Sequence, residues 1–103
     1  MTSLTPTPSP MPTFRQQPVD VVIDVRSKVE FWLGHLPDAV CVPVDTLPDG
    51  LDKVPGVTTD SKILVYCASG ARSARAAQIL QAQGYRHVTN AGGLSDARAE
   101  FTA

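Results

Sequence analysis

Two runs of β-branched residues constrain this chain more than any other feature. Val19-Asp20-Val21-Val22-Ile23-Asp24-Val25 has no regular apolar–polar alternation, the mark of a strand buried on both faces of a parallel sheet. Lys62-Ile63-Leu64-Val65-Tyr66 is the clearest strand in the chain and leads into a segment of good helix formers, Ala74 to Gln83, with Gly84 just past its end. Ser27 is predicted to cap a short helix through Leu33, with Glu30 at the capping-box position and Gly34 as its stop. Ala39–Val42 and His87–Asn90 read as further short strands, and a terminal helix is expected from about Ser95. Between them, residues 43–61 carry Pro48, Gly50, Pro55 and Gly56, so turns and at most one or two helical turns are expected. Strands alternating with helices at this spacing give an α/β fold with a mainly parallel central sheet, flanked by helices on both faces.

The 103 residues allow one domain with one core. Residues 1–13 stand apart from it, because ten of the thirteen are Ser, Thr or Pro, and the alternating prolines forbid helix. They read as a flexible leader rather than a proline-rich ligand, and residues 14–103 as the folded domain. Nine basic against ten acidic side chains leave a net charge of −1, which argues against nucleic acid or an anionic membrane as partner. With no membrane-length apolar run and no secretory pattern at the start, a cytoplasmic address is expected. Cys41 and Cys67 form no C-x-x-C, and with His35 and His87 they show no zinc-ligand spacing. Free thiols, no metal and no organic cofactor are therefore expected.

The chemistry concentrates after Tyr66. In an open parallel sheet, ligands meet the carboxyl ends of strands, often where a helix begins. Cys67 occupies that place. The small residues Ala68, Ser69, Gly70 and Ala71 let successive N–H groups turn inward, Arg72 adds a cation, and Ser73 opens the helix. A cysteine in such an anion nest is held as thiolate. Cys41, inside Ala39-Val40-Cys41-Val42, has no such surroundings and is expected to pack in the core.

In order and spacing, Asp24-Val25-Arg26, Glu30-Phe31, Gly34-His35-Leu36-Pro37-Asp38-Ala39, Tyr66-Cys67 with its C-x4-R-S loop, and Gly92-Gly93 resemble the rhodanese-like domain family across about residues 19–96. At its ends the chain departs from the family pattern. The part before the Asp-Val-Arg strand is shorter, and Gly93 is followed by Leu94-Ser95-Asp96 without the Trp many members carry. The resemblance implies a five-stranded parallel sheet and a sulfurtransferase in which Cys67 becomes a persulfide, cradled by the amides of Ala68 to Ser73. It implies a small sulfur-containing anion as donor and a thiol or thioredoxin-like dithiol protein as acceptor. Two alternatives accompany it: a cysteine phosphatase or arsenate reductase, whose loop is one residue longer, and a non-catalytic binding module. The remaining motif residues, Asp24, Arg26, Glu30 and His35, read as supporting. Arg26 is expected to pair with Glu30, His35 to fix a turn, and Trp32 to lie in the core or a groove wall.

Overall fold

The computed structural model describes residues 11–102, so most of the leader expected over residues 1–13 lies outside the described residues. In chain order the elements are β1 (Thr13–Phe14), β2 (Gln17–Pro18), β3 (Val21–Asp24), α1 (Lys28–Leu33), β4 (Ala39–Cys41), β5 (Lys62–Cys67), α2 (Ala71–Ala82), β6 (His87–Gly93), α3 (Leu94–Glu100) and β7 (Phe101–Thr102). Two 3₁₀ turns, Val44–Thr46 and Asp49–Lys53, lie in the Pro- and Gly-punctuated stretch.

The four apolar runs form one parallel sheet in the order β4-β3-β5-β6. Four strands stand where the family resemblance implied five. The chain before β3 instead forms a hairpin, β1 with β2, and β1 also pairs antiparallel with β7. Those two-residue strands carry no hydrophobic period, so the sequence gives no sign of them.

Both faces of β3 and β5 are buried, as their unpatterned apolar runs require. Alternate side chains divide between two cores. Ile23, Val25, Ile63, Val65 and Cys67 pack under Ala76, Ala77 and Leu80 of α2, with Leu51 and Val54 from the second 3₁₀ turn. On the other face Val22, Leu64 and Tyr66 meet Phe14, Val19, Leu36 and Ala97 of α3. Helices therefore flank both faces.

Several boundaries move. The strand expected over 19–25 is confined to Val21–Asp24, β6 runs on to Gly93, and α2 begins at Ala71 because Gly70 supplies its left-handed N-cap. Cys41 is only half-buried, since β4 is an edge strand, and its thiol faces the Arg26 carbonyl at 3.7 Å instead of joining the core. Trp32 corrects the reading further: it is 82% exposed.

One buried hydrogen bond fixes the chain that follows α1 to the centre of the sheet. The Leu36 N–H donates to the Tyr66 hydroxyl at 3.0 Å, and Leu36 and Tyr66 are both buried. Tyr66→Phe strands that N–H without a partner, a loss of about 1–3 kcal/mol. Urea denaturation is expected to show an unfolding free energy smaller by that amount, read as a lower midpoint with an unchanged slope.

Candidate active site

Three residues at the carboxyl edge of β5 determine how the backbone must turn. Cys67 ends the strand, completely buried. Gly70 reverses the chain at φ +103°, a conformation that a Cβ would strain, and α2 starts at the next residue. Behind the loop runs Gly92-Gly93: a Cβ on Gly93 would lie 2.5 Å from the Ala68 carbonyl oxygen. Glycine there is a packing requirement, because only a bare backbone lets β6 approach the loop so closely.

The turn aims its donors at sulfur. The Gly70 N–H reaches Cys67 Sγ at 2.9 Å and the Ser73 N–H at 3.4 Å. Ser73 Oγ also lies 3.4 Å from the sulfur, with the carbonyls of Gly70 and Gly92 as further acceptors for its hydroxyl. Burial by itself raises the Cys67 pKa. The Ser73 hydroxyl and the amides of Ser73, Gly70 and Ser69 outweigh it, and the net shift is downward. Cys41 moves the opposite way, pushed up first by burial and then by the charge of Asp24. The two thiols are chemically distinct.

The supporting residues divide into two ion pairs, neither of them the expected Arg26–Glu30 pair. Arg26 folds back onto Asp24, with Nε 3.0 Å from both carboxylate oxygens and Nη2 2.7 Å from Oδ2. Arg26 also donates to the Gly34 carbonyl at 2.5 Å and lies 5.8 Å from the Tyr66 ring centroid. Asp24 is fully buried, and a carboxylate so placed needs a bonded cation, which Arg26 supplies from two residues away. That leaves Glu30 free for Arg72, 42 residues away, which it grips with both oxygens at 2.7 and 2.9 Å.

The Arg72 fork holds the Glu30 pKa down at about 2, against the opposing effect of desolvation. Since the folded value lies below the unfolded one, the pair's stabilisation is present above about 4.5 and fades as pH falls towards 2. Glu30 also closes the capping box with Ser27. One carboxylate thus ties the start of α1 to the first turn of α2. About a third of each side chain is exposed, so the pair is screened and its value lies in geometry. His35 sits beside the end of α1, its Nδ1 2.7 Å from the Phe31 carbonyl and its ring stacked on Phe31 at 3.7 Å. It makes no contact with the sulfur.

A groove of about 350 Å³ opens beside Arg72, lined also by Val25, Ser27, Lys28, Val44, Asp45 and Thr46. The amides of Ala71 and Arg72 head α2, where helix geometry leaves them without backbone partners. Donors so placed at a helix start can receive an anion or a second sulfur atom. A groove of about 420 Å³ at the opposite end of the sheet, among Phe14, Lys62, Arg86 and His87, contains no cysteine. Among the described residues no three His, Cys, Asp or Glu side chains gather closely enough to hold a metal ion.

Sequence reasoning identified the loop but missed the Glu30–Arg72 contact and the seat that Gly93 provides. Motif order alone signals them, since the distances in sequence are too long for any local pattern.

Comparison with known proteins agrees with this geometry. The pattern of the rhodanese-like domain matches residues 13–100. A sulfurtransferase of Allochromatium vinosum is 36% identical over 70 residues, covering 68% of this chain and 63% of its own length. Thiosulfate sulfurtransferase PspE of Escherichia coli is 35% identical over 74 residues, covering 72% of this chain and 70% of that protein. The matched stretch therefore spans less than two thirds of the Allochromatium protein. It spans only 21% of a tRNA uridine(34) hydroxylase of Erwinia tasmaniensis, at 32% identity. Among solved structures, a rhodanese with anions from E. coli superposes with a TM-score of 0.69 at 32% identity, covering 80% of this chain and 95% of that one.

Alkylation by iodoacetamide checks the electrostatics. Cys67 is expected to react with a midpoint below the free-thiol value of about 8.5. In Ser73→Ala, which removes the hydroxyl, that midpoint should move up. Equal midpoints for the two cysteines would show that the loop does not favour the thiolate.

Proposed function

The chain belongs to the rhodanese-like domain family, and on that premise we propose that it is a sulfurtransferase carrying a sulfane sulfur on Cys67. The observation that carries the reading is the buried sulfur receiving N–H donors from both ends of a four-residue turn, Gly70 at 2.9 Å and Ser73 at 3.4 Å.

The steps follow from charge. A donor such as thiosulfate approaches along the groove beside Arg72, and its anionic end meets the unpaired amides of α2 and the positive end of that helix. The Cys67 thiolate attacks the outer sulfur, the S–S bond of the donor breaks, and sulfite departs with the bonding pair. The persulfide that remains is an anion, and its outer sulfur lies within reach of the Ala71 and Arg72 amides. A second nucleophile, cyanide or a thiolate, then takes that sulfur and returns Cys67 to its starting state. This is two-step covalent catalysis. The residues Ala68 to Ser73 bind, and Cys67 reacts.

Arg72 acts here mainly as an anchor, because Glu30 occupies both of its forward nitrogens. Asp24, Arg26 and His35 shape the rim. The C-x4-R spacing supports sulfur transfer over phosphate or arsenate chemistry, since a tetrahedral oxyanion needs a wider ring of donors. The relatives named sulfurtransferase point the same way.

Incubation with thiosulfate, followed by mass spectrometry, is expected to add one sulfur atom at Cys67 that cyanide removes. Cys67→Ser should abolish thiocyanate formation and Cys41→Ser should leave it within a few-fold. A dead Cys41→Ser, or aryl phosphate hydrolysis by the parent faster than any sulfur transfer, would contradict the reading.

A further inference from the structure

Helix α1 has six residues and two of its faces are committed. Glu30 turns to Arg72, and Phe31 stacks on His35. The third carries Val29, Trp32 and Leu33, at positions i, i+3 and i+4 and therefore side by side. They are 67%, 82% and 75% exposed, the three most exposed large apolar side chains among the described residues. A contiguous apolar face of this kind marks a contact surface.

Area, charge and position identify what it contacts. The three side chains offer on the order of 400 Å². Two copies joined through it would bury about 800 Å² in total, short of the roughly 1,200 Å² at which stable complexes begin. Exposed Lys28 stands at the start of the helix, and the guanidinium of exposed Arg98 lies 3.8 Å from where a Cβ on Gly34 would be, at its end. Neither cation is in a salt bridge among the described residues, whereas the one carboxylate on α1, Glu30, is neutralised by Arg72. Two such faces would set cation against cation, while an acidic partner would fit. Cys67 is fully buried, so a protein can collect its sulfur only by seating a cysteine against the loop that α1 borders.

Resting on the sulfurtransferase reading, we propose that Val29, Trp32 and Leu33 are the landing surface for a sulfur-accepting protein, one whose reactive cysteine sits in an apolar patch with an acidic rim. The contact is transient. The acceptor thiolate attacks the outer sulfur of the Cys67 persulfide, the S–S bond to Cys67 breaks, and its electron pair stays on Cys67 as thiolate. Where the acceptor is a dithiol, its second thiolate then displaces hydrosulfide. The dithiol is oxidised to a disulfide and the sulfane sulfur is reduced.

The test uses the full chain, loaded with thiosulfate and freed of excess donor, and two acceptors: cyanide, and reduced thioredoxin as a small acidic dithiol protein. In the triple variant Val29→Gln, Trp32→Gln, Leu33→Gln, the transfer rate to thioredoxin is expected to fall about ten-fold or more, with cyanide within about two-fold of the parent. Unchanged thermal unfolding of the variant excludes a folding defect. Added salt should slow the parent's reaction with thioredoxin and spare that with cyanide. Equal losses with both acceptors, no loss with thioredoxin, or a parent that reacts no faster with thioredoxin than with dithiothreitol overturns the proposal. A parent dimer that the variant dissolves in sedimentation also overturns it, assigning the face to a second copy. A parent that yields no thiocyanate overturns the sulfurtransferase reading as well.

Discussion

A sulfur anion out of reach of water has to be hydrogen-bonded by the protein, and the upper edge of this molecule is built around that need. At the end of β5 one side chain, the Ser73 hydroxyl, meets the sulfur, and backbone amides supply the remaining donors. For successive amides to face one point, the chain must turn tightly, reverse at a left-handed residue and enter a helix at once. Gly70 provides the reversal and Ala71 begins α2. The turn then needs a neighbour without a Cβ, which Gly93 provides, leaving the Ala68 carbonyl room it would otherwise lose. Removing sulfur from water opposes ionisation and the donors favour it; the direction of the Cys67 shift shows that the donors win.

The charges around this centre have separate tasks. Asp24 and Arg26 form a closed pair under the rim, satisfied within two residues of sequence and bonded onward to Gly34. Glu30 and Arg72 form an open pair across it, linking two helices that share no other charge contact among the described residues. Arg72, the cation at the mouth, is largely occupied by Glu30. The anion site is therefore mostly backbone. The groove beside it is walled on one side by α1, and the same helix carries the exposed Val29, Trp32 and Leu33. Sulfur chemistry and partner contact are then two faces of one six-residue element.

What the sequence reveals here depends on how local the cause is. The parallel sheet was legible because a strand buried on both faces must be apolar throughout, as Val21–Ile23 and Ile63–Tyr66 are. The loop was legible because small residues, a cysteine, an arginine and a helix start coincide within seven positions. Ser27 and Glu30 were legible as a capping box, which is set by a spacing of three. The partner of Arg26 was misread because helical spacing favours Glu30, whereas burial of Asp24 decides otherwise. The Glu30–Arg72 pair and the Gly93 seat depend on tertiary approach across 42 and 25 residues. Trp32 was misread for the opposite reason: apolar character normally means burial, and here an apolar residue faces outward. The expected fifth strand of the sheet is replaced by β1, β2 and β7, each too short to show a pattern.

The central claim is that inward-facing amides of one turn stabilise an anionic sulfur on Cys67. Amide chemical shifts report this residue by residue. Two-dimensional ¹⁵N–¹H spectra, recorded across the ionisation of Cys67 and again after thiosulfate, should show the Gly70 and Ser73 amide protons moving downfield with the thiolate. Those of Ala71 and Arg72 should follow once the second sulfur is attached. Loop amides that stay still through both steps, while signals around Cys41 move, would contradict the account.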